Sequence, residues 1–350
     1  CDCSSLTSIT IPSSVTSIGW DAFHGCTSLT SITIPKNVTS IGQYAFSSCD
    51  SLASINFERN SLLTSIGDYA FEDCTLLTEI NFNVIAMNDL DSYNHVFDSA
   101  GQDGDGITAT FGSEVTKIPA YLFYPYNSSS LPKITTVIFE DNSKLTSIGD
   151  HAFCYNKFTG IKIPASVLEI GNGAFSLCNS LATVVFENNS KLTSIGESAF
   201  SQCRILTSIV IPDSVTSIGE HAFYLCDDLI SINFGTNSQL TSIGNTAFSN
   251  CRSLASIIIP EGVTSIGDSA FSSCSSLTSI TIPKNVTSIG RYAFSNCDNL
   301  ISIVFENTAG WYRTTSSTAT SGTITTVTDP SRNATYLRIS YDDYYWKRSA

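Results

Sequence analysis

Basic residues are scarce in this sequence. Its 350 residues include 17 Lys and Arg against 31 Asp and Glu, which gives a formal net charge of −14. Nucleic acids and anionic membrane surfaces are bound through Lys and Arg side chains that neutralise phosphate. We therefore expect no nucleic-acid partner. No apolar run approaches the ~20 residues that cross a bilayer, so the sequence also predicts no membrane-spanning segment.

Charge of either sign is sparse as well. Charged residues make up 14% of the chain and apolar residues 42%. Disordered chains have the opposite balance, because they carry too little apolar surface to form a core. The sequence therefore predicts an ordered protein whose surface polarity comes mainly from Ser, Thr and Asn.

Short motifs that carry catalytic or metal chemistry are missing too. There is no C-x-x-C pair for zinc, no G-x-S-x-G elbow for a nucleophilic serine and no glycine-rich phosphate loop. Only two of the four histidines, His151 and His221, share a repeat position, and three repeats separate them. We expect no enzymatic activity, no bound metal and no cofactor.

What the sequence does have is one motif repeated along most of its length. The pattern L-x-x-I-x-I-P-x-x-V-x-x-I-G-x-x-A-F-x-x-C recurs with a basic period of 23 residues, as between Leu6 and Leu29. The thirteen repeats start at Leu6, Leu29, Leu52, Leu77, Gly106, Ile134, Phe158, Leu181, Leu206, Leu229, Leu254, Leu277 and Leu300. A period of 20 to 29 residues with this pattern is typical of leucine-rich repeats.

The pattern of each repeat predicts one long and one short extended segment. Ile9 and Ile11 alternate with polar residues, which predicts a strand with one buried face, and Pro12 ends it. A shorter extended segment follows and is closed by Gly19. The stretch around Ala22–Cys26 is too short for a stable α-helix and predicts a turn or 3₁₀ segment. Stacking of such repeats predicts a β-rich solenoid, with a parallel sheet on its concave face and these turns on its convex face.

A second version of the repeat is two residues longer. It replaces I-P-x-x-V with F-x-x-N-S-x-L, and its Asn-Ser pair favours a turn in which a short polar side chain bonds the local backbone. These pairs begin at Asn60, Asn142, Asn189 and Asn237.

The cysteines follow the repeat frame, so they are interpreted as core residues with free thiols. We predict a buried ladder of Cys3, Cys26, Cys49, Cys74, Cys178, Cys203, Cys226, Cys251, Cys274 and Cys297, with Cys154 outside the pattern. The chain opens at Cys1 without an initiator Met or a leader, and residues 1–5 match the end of a repeat. This favours an N-terminally truncated solenoid that has lost its export signal.

The I-P, I-G, A-F and C positions together resemble the BspA-like leucine-rich repeat family of bacterial and protist surface proteins. The resemblance covers about seven-eighths of the chain and implies the solenoid fold. It further implies an extracellular or cell-surface location and adhesion to host or neighbouring-cell proteins. The motif consists of core positions, so it transfers no binding residues.

The solenoid is predicted to span residues 1–305, with thirteen repeats of 23–29 residues that are irregular at 83–132. The insert Gln102–Gly106 carries Asp103 and Asp105, which fall short of the six to eight oxygens that calcium needs. Residues 306–350 turn rich in aromatics, including Trp311 and Trp346. They are interpreted as a C-terminal cap, with a small sugar- or peptide-binding module as the alternative.

The exposed position inside each long strand is polar in the first repeats and largely apolar later. We call the later residues the strand-face row and predict that they bind a partner; they are Ile138, Lys162, Val185, Val210, Asn233, Ile258 and Val304. An exposed apolar row often marks an interface, but β-branched residues also simply favour strands. Both interpretations remain open at this point.

The sequence thus predicts a non-catalytic, monomeric, adhesin-like protein that contacts an extracellular protein or glycan through its solenoid. The alternative is a passive stalk that displays another domain.

Overall fold

The computed structural model describes residues 3–127 and 129–349. It divides into two compact units, Cys1–Leu181 and Ala182–Ala350. Each unit is a β-solenoid of stacked repeats with parallel sheets and little helix, which confirms the predicted fold class. No helix in the described ranges is long and apolar enough to span a membrane.

Most repeats of the first unit contribute one long and one short strand. The strands are β1 (Ser17–Ile18), β2 (Ser31–Ile34), β3 (Ser40–Ile41), β4 (Ser54–Phe57), β5 (Ser65–Ile66), β6 (Glu79–Phe82), β7 (Ile107–Phe111), β8 (Lys117–Ile118), β9 (Ile134–Phe139), β10 (Ser147–Ile148), β11 (Gly160–Ile163) and β12 (Glu169–Ile170). The long strands β2, β4, β6, β7 and β9 form one parallel sheet. The short strands β1, β3 and β5 form another, and β8, β10 and β12 pair in the same way.

The second unit follows the same plan and then ends differently. Its strands are β13 (Thr183–Phe186), β14 (Ser194–Ile195), β15 (Ser208–Ile211), β16 (Ser217–Ile218), β17 (Ser231–Phe234), β18 (Ser242–Ile243), β19 (Ser256–Ile257), β20 (Ser265–Ile266), β21 (Ser279–Ile282), β22 (Ser288–Ile289), β23 (Ser302–Phe305), β24 (Trp311–Thr314), β25 (Thr323–Ile324) and β26 (Tyr345–Arg348). Between β25 and β26 lie the helix α1 (Pro330–Thr335) and a π-helical turn (Tyr336–Ser340). The long strands β13, β15, β17 and β19 pair in parallel, as do β21 and β23. The short strands β14, β16, β18, β20 and β22 form a second parallel sheet.

Strand registers keep equivalent repeat positions side by side. In β2, Ile32 and Ile34 are buried while Ser31 and Thr33 are exposed, and Thr33 lies opposite Asn56 of β4. A slip of one residue would turn both isoleucines to solvent, so burial of one face fixes the register.

The stretch after each short strand forms consecutive tight turns. In the repeat that includes Gly42, Ala45 N donates to Gly42 O at 3.3 Å and Ser47 N donates to Tyr44 O at 3.1 Å. Tyr44 and Ser48 have φ of 53° and 55°, a left-handed conformation that stops helix propagation. Their amide groups point to the next repeat, where Tyr44 N donates to Asp68 O at 3.0 Å. These turns therefore also hydrogen-bond the repeats together.

Phenylalanine stacking fills the core beneath these turns. In the second unit the rings of Phe223, Phe248, Phe271 and Phe294 follow one another with centroids 5.4–5.5 Å apart and nearly parallel planes. Each ring belongs to the A-F position of its own repeat and is fully buried. Offset stacking at this spacing adds to the burial of apolar area.

The longer repeats make the predicted polar turn, with the serine of the Asn-Ser pair as its acceptor. Ser61 Oγ accepts from Leu63 N at 3.4 Å, and Ser190 Oγ accepts from Leu192 N at 3.3 Å. The asparagine before the serine takes the left-handed conformation in three of these repeats, at Asn60, Asn142 and Asn189. The two extra residues thus form a compact loop at the end of the long strand.

The segment after β23 packs on the last repeats of the second unit. Strand β26 pairs antiparallel with β22, so that Trp346 lies opposite Ile289, and β24 pairs with β26. Asp329 caps α1 by accepting from Ser331 N and Arg332 N, and Asn333 Nδ2 donates to Ile303 O at 3.0 Å. Trp311 and Trp346 are fully buried.

Candidate functional site

All seven residues of the strand-face row lie at the surface. The exposed fractions are 45% for Ile138, 53% for Val185, 59% for Val210, 85% for Ile258 and 40% for Val304, and the side chains of Lys162 and Asn233 are also exposed. For comparison, Ile209 and Ile211 on either side of Val210 are buried. Local strand alternation alone accounts for this exposure.

The structure groups only part of the row. In the first unit, Ile138 lies opposite Thr110, so the neighbouring strand β7 has a polar residue at this position. In the second unit, Asn233 lies opposite Val210, while Thr281 lies opposite Val304. Ile258 follows the last residue of β19, which leaves its side chain the most exposed of the row. Val185, Val210, Asn233 and Ile258 are the residues of the row that share a larger surface feature.

That feature is a series of clefts along the carboxyl ends of the long strands in the second unit. One cleft of about 1040 Å³ includes Val185 and Val210, and one of about 950 Å³ includes Asn233 and Ile258. Both contain Gly235, Asn237 and Gln239, so they adjoin. A third, of about 380 Å³, continues from Ile258 past Thr281 to Glu306. Small-molecule sites are usually 300–1,000 Å³, so the series is large for a single small ligand.

The first two clefts lie where phenylalanine and isoleucine alternate between neighbouring repeats, at Phe186, Ile211, Phe234 and Ile259. In the first unit, Phe57, Phe82 and Phe111 follow one another with ring centroids 5.3 and 5.4 Å apart, and all three are buried. In the second unit, Phe234 lies opposite Ile211 and is only partly buried, as is Phe186. Phe234 comes between two isoleucines in the order of repeats, Ile211 and Ile259, whereas the buried Phe57 has Ile34 on one side and the ring of Phe82 on the other.

Loops of the longer repeats form the cleft walls. Asn188, Asn189 and Ser190 line the first cleft, and residues 235–239 separate it from the second. A Cβ on Gly235 would overlap the carboxylate of Asp213, which lies against the glycine backbone. Glycine at 235 therefore lets the carboxylate of the neighbouring repeat sit inside the cleft.

Sequence reasoning missed these clefts because they depend on which repeat follows which. The signal was present in the alternation of F-type and I-P-type repeats from Leu181 onward, together with the extra residues of the F-type loops. The predicted row captured the apolar side chains and left out the partly exposed phenylalanine rings and the carboxylates beside them.

The cysteines of the repeat position are free in the described part of the chain. They are buried from Cys26 onward, but Cys3 is exposed, so the predicted buried ladder is wrong at its first member. No repeat covers Cys3 on its N-terminal side in the described ranges, and Cys1 lies outside them. Seven of these thiols donate to a phenylalanine carbonyl of an adjacent repeat, as Cys251 Sγ does to Phe223 O at 3.2 Å. Burial raises the pKa of Cys49 and of Cys297 to about 12, so these thiols stay protonated at neutral pH.

Other titratable groups do not assemble into a reactive site. Within the described ranges, no group of three or more His, Cys, Asp or Glu side chains could hold a metal ion. Asp103 and Asp105 are both exposed, and Lys133 Nζ donates to Gly104 O at 2.6 Å between them. The insert therefore already has an ammonium group hydrogen-bonded to its backbone.

Many aromatic side chains after residue 306 pack against other residues. Trp311 stacks edge-on against Phe305, with centroids 4.9 Å apart. Trp346 Nε1 donates to Tyr341 O at 3.2 Å, and the guanidinium of Arg313 lies 3.4 Å from the centroid of Tyr341. These rings therefore pack within the segment or on the last repeat.

Solenoids built from this repeat define a leucine-rich-repeat protein, and comparisons with known proteins identify the family. The chain belongs to the BspA type leucine-rich repeat family, whose model matches residues 1–126, 105–227 and 193–314. The chain is similar to a solved leucine-rich repeat protein from Bacteroides ovatus, with 29% identity, a TM-score of 0.58, and coverage of 86% of this chain and 79% of that one.

A second similar structure is a leucine-rich cell surface protein from Faecalibacterium prausnitzii. It is 32% identical, with a TM-score of 0.44, over 87% of this chain and 89% of that one. No protein of curated function matches the chain.

Proposed function

We propose that this protein is a non-catalytic, surface-displayed or secreted binding protein that holds an extracellular macromolecule against the strand face of its second unit. The observation that carries the proposal is the run of adjoining clefts around Val185, Val210 and Ile258. Exposed apolar side chains beside clefts of this size commonly mark an interface.

Extracellular action is proposed from the family and from the relative that is described as a cell surface protein. A macromolecular partner fits better than a small ligand because the clefts extend over several repeats. Parallel strands lie ~4.8 Å apart, so four consecutive long strands present ~14 Å of surface, and each further repeat extends it. Adhesion would then rest on many weak contacts along the sheet.

The test is a binding screen of the purified chain against arrays of extracellular-matrix proteins and glycans. We expect a saturable hit that the triple variant Val185→Ser, Val210→Ser, Ile258→Ser weakens at least tenfold, about 1.4 kcal/mol. The matched control replaces Ile205, Ile230 and Ile301 with Ser, because these residues are exposed in the same unit but lie outside the clefts.

Equal binding by the triple variant and the control would contradict the proposed site. The irregular residues 83–132 and the segment 306–350 would then become the candidate contact regions. No hit by the wild-type chain would favour the passive stalk, which the uniform repeats and the Ser- and Thr-rich surface also suit.

A further inference from the structure

The clefts carry charge of one sign. Among their described lining residues there is no Lys, Arg or His, whereas four acids are present, namely Glu187, Asp213, Glu261 and Glu306. A cleft whose walls carry one sign of charge concentrates the potential and attracts the opposite charge. An anionic partner is therefore disfavoured at this surface.

Lys284 lies close to two of these acids without neutralising them. Lys284 Nζ is 3.7 Å from Glu261 Oε2, and both side chains are more than half exposed, which makes the pair weak. The backbone N–H of Lys284 donates to Glu306 Oε2 at 3.0 Å, which orients that carboxylate and leaves its charge unchanged. Asp213 lies within the first cleft beside Gly235.

Apolar and acidic groups run side by side along the same repeats. Val185 and Val210 project from the strands, Phe186 and Phe234 are partly exposed and line the clefts, and the carboxylates follow just beyond the strand ends. A ligand that fits must therefore bury apolar groups on one side and offer positive charge on the other. An extended polypeptide does this naturally, because successive side chains point in opposite directions.

We propose that the clefts bind an extended, cationic polypeptide segment in which apolar residues alternate with Lys or Arg. The inference rests on the proposed function and names the chemical class of its partner. The apolar side chains of the segment contact Val185, Val210 and Ile258, while its cationic side chains reach Asp213, Glu261 and Glu306. About four extended residues span the ~14 Å between the first and fourth strands of this sheet.

The test measures fluorescence anisotropy of labelled decapeptides with the full chain. The probe alternates Val and Lys, and three counterparts replace Lys with Glu, Lys with Ser, or Val with Ser. We expect the Val-Lys peptide to bind at least tenfold more tightly than each counterpart. Its affinity should also fall as salt is added, because exposed charges are screened.

Two variants of equal net charge distinguish attraction of the peptide by the cleft carboxylates from attraction by the net charge of the whole protein. Asp213→Asn with Glu261→Gln removes two cleft carboxylates and should weaken the Val-Lys peptide about tenfold. The control, Asp228→Asn with Glu220→Gln, removes two acids of the same unit that lie outside the clefts and should change affinity less than twofold.

Equal weakening by the two variants, or equal binding of the four peptides, would overturn the cationic-segment proposal. Failure of every peptide to bind would overturn it as well. The proposed function is tested separately, by whether the triple Ser variant loses the array hit. A protein or glycan hit that depends on Val210 but is unaffected by Asp213→Asn with Glu261→Gln would keep the first proposal and remove the second.

Discussion

Buried cysteine is the residue that most distinguishes this repeat from a purely aliphatic one. Its thiol is small enough for the space beneath the A-F turn, and it gives a carbonyl of the adjacent repeat a hydrogen-bond donor. Cys274 Sγ donates to Phe248 O at 3.1 Å and Cys297 Sγ donates to Phe271 O at 3.0 Å. Alanine would fill part of the space and remove that donor, while the carbonyl would keep a backbone donor of its own repeat, such as Cys251 N to Phe248 O at 3.2 Å. We therefore expect a cost of about 0.5–1.5 kcal/mol for the lost hydrogen bond.

Thiol reactivity tests this account. We expect a folded variant with Cys1 and Cys3 replaced by Ala not to react with thiol reagents at pH 8, because the remaining thiols are buried. Burial also raises the pKa of several of them, for example to about 12 in Cys154. Unfolding without reductant should expose all the remaining thiols among the 12 cysteines of the chain. Rapid labelling of the folded variant, or missing thiols after unfolding, would contradict free, buried cysteines.

Asp98 is a buried carboxylate in the irregular part of the first unit. It accepts from Tyr126 N at 3.1 and 3.2 Å, yet burial outweighs these bonds and raises its pKa. A raised pKa in the folded state means that folding favours the protonated form. The contribution of Asp98 to stability is therefore greatest at acidic pH and is lost as pH rises from the ordinary aspartate value through the raised one.

The variant Asp98→Asn keeps an acceptor oxygen for Tyr126 N and has no proton to lose. We expect the free energy of unfolding of the variant, relative to wild type, to increase between about pH 4 and neutrality. Urea denaturation across that range measures the difference. A difference that does not change with pH, or that falls as pH rises, would show that burial does not control this group.

At the scale of elements, the repeat motif contains nearly all the information for the solenoid. Period-two burial predicted the long strands, Gly19 and its equivalents predicted the end of the short ones, and the structure confirms the parallel stacking of both. The left-handed residues could not be predicted, because Tyr44, His151 and Thr246 all occupy that conformation and share no local preference for it. Hydrogen bonds between repeats impose it, so it is a tertiary effect.

The candidate site was predictable only in part, for the same reason. Exposure of Val185, Val210 and Ile258 follows from strand alternation within each repeat. The first two clefts depend on which residues of neighbouring repeats lie side by side, as Ile211 and Phe234 do. Such a pairing is visible only when register and repeat order are considered together.

Strand β26 provides the element-scale prediction. Replacing the fully buried Trp346 with Ala should lower the free energy of unfolding by about 3–5 kcal/mol, because a large cavity opens between β26 and β22. Ile324→Ala in the exposed edge strand β25 is the control and should change it by less than about 0.5 kcal/mol. Urea denaturation followed by circular dichroism measures both. Similar small effects would mean that residues 306–350 contribute little to the stability of the solenoid, against the proposed role as a C-terminal cap.

At the scale of the whole molecule, the core residues are repeated but the surface residues are not. The same core residues recur from repeat to repeat, whereas the exposed strand position changes from Thr33 and Asn56 in the first unit to Val185, Val210 and Ile258 in the second. A repeat protein can vary this position freely, since each repeat is stabilised mainly by its neighbours through the core. We infer that the second unit carries the recognition surface.

Hydrogen–deuterium exchange of the full chain with and without a partner from the array screen tests this most directly. The account predicts slower exchange on binding in peptides that contain residues 183–190, 208–214, 231–239 and 256–262, with little change in residues 3–82 and 307–349. Slower exchange confined to the irregular residues 83–132 or to the segment after residue 306, with the clefts unchanged, would contradict it.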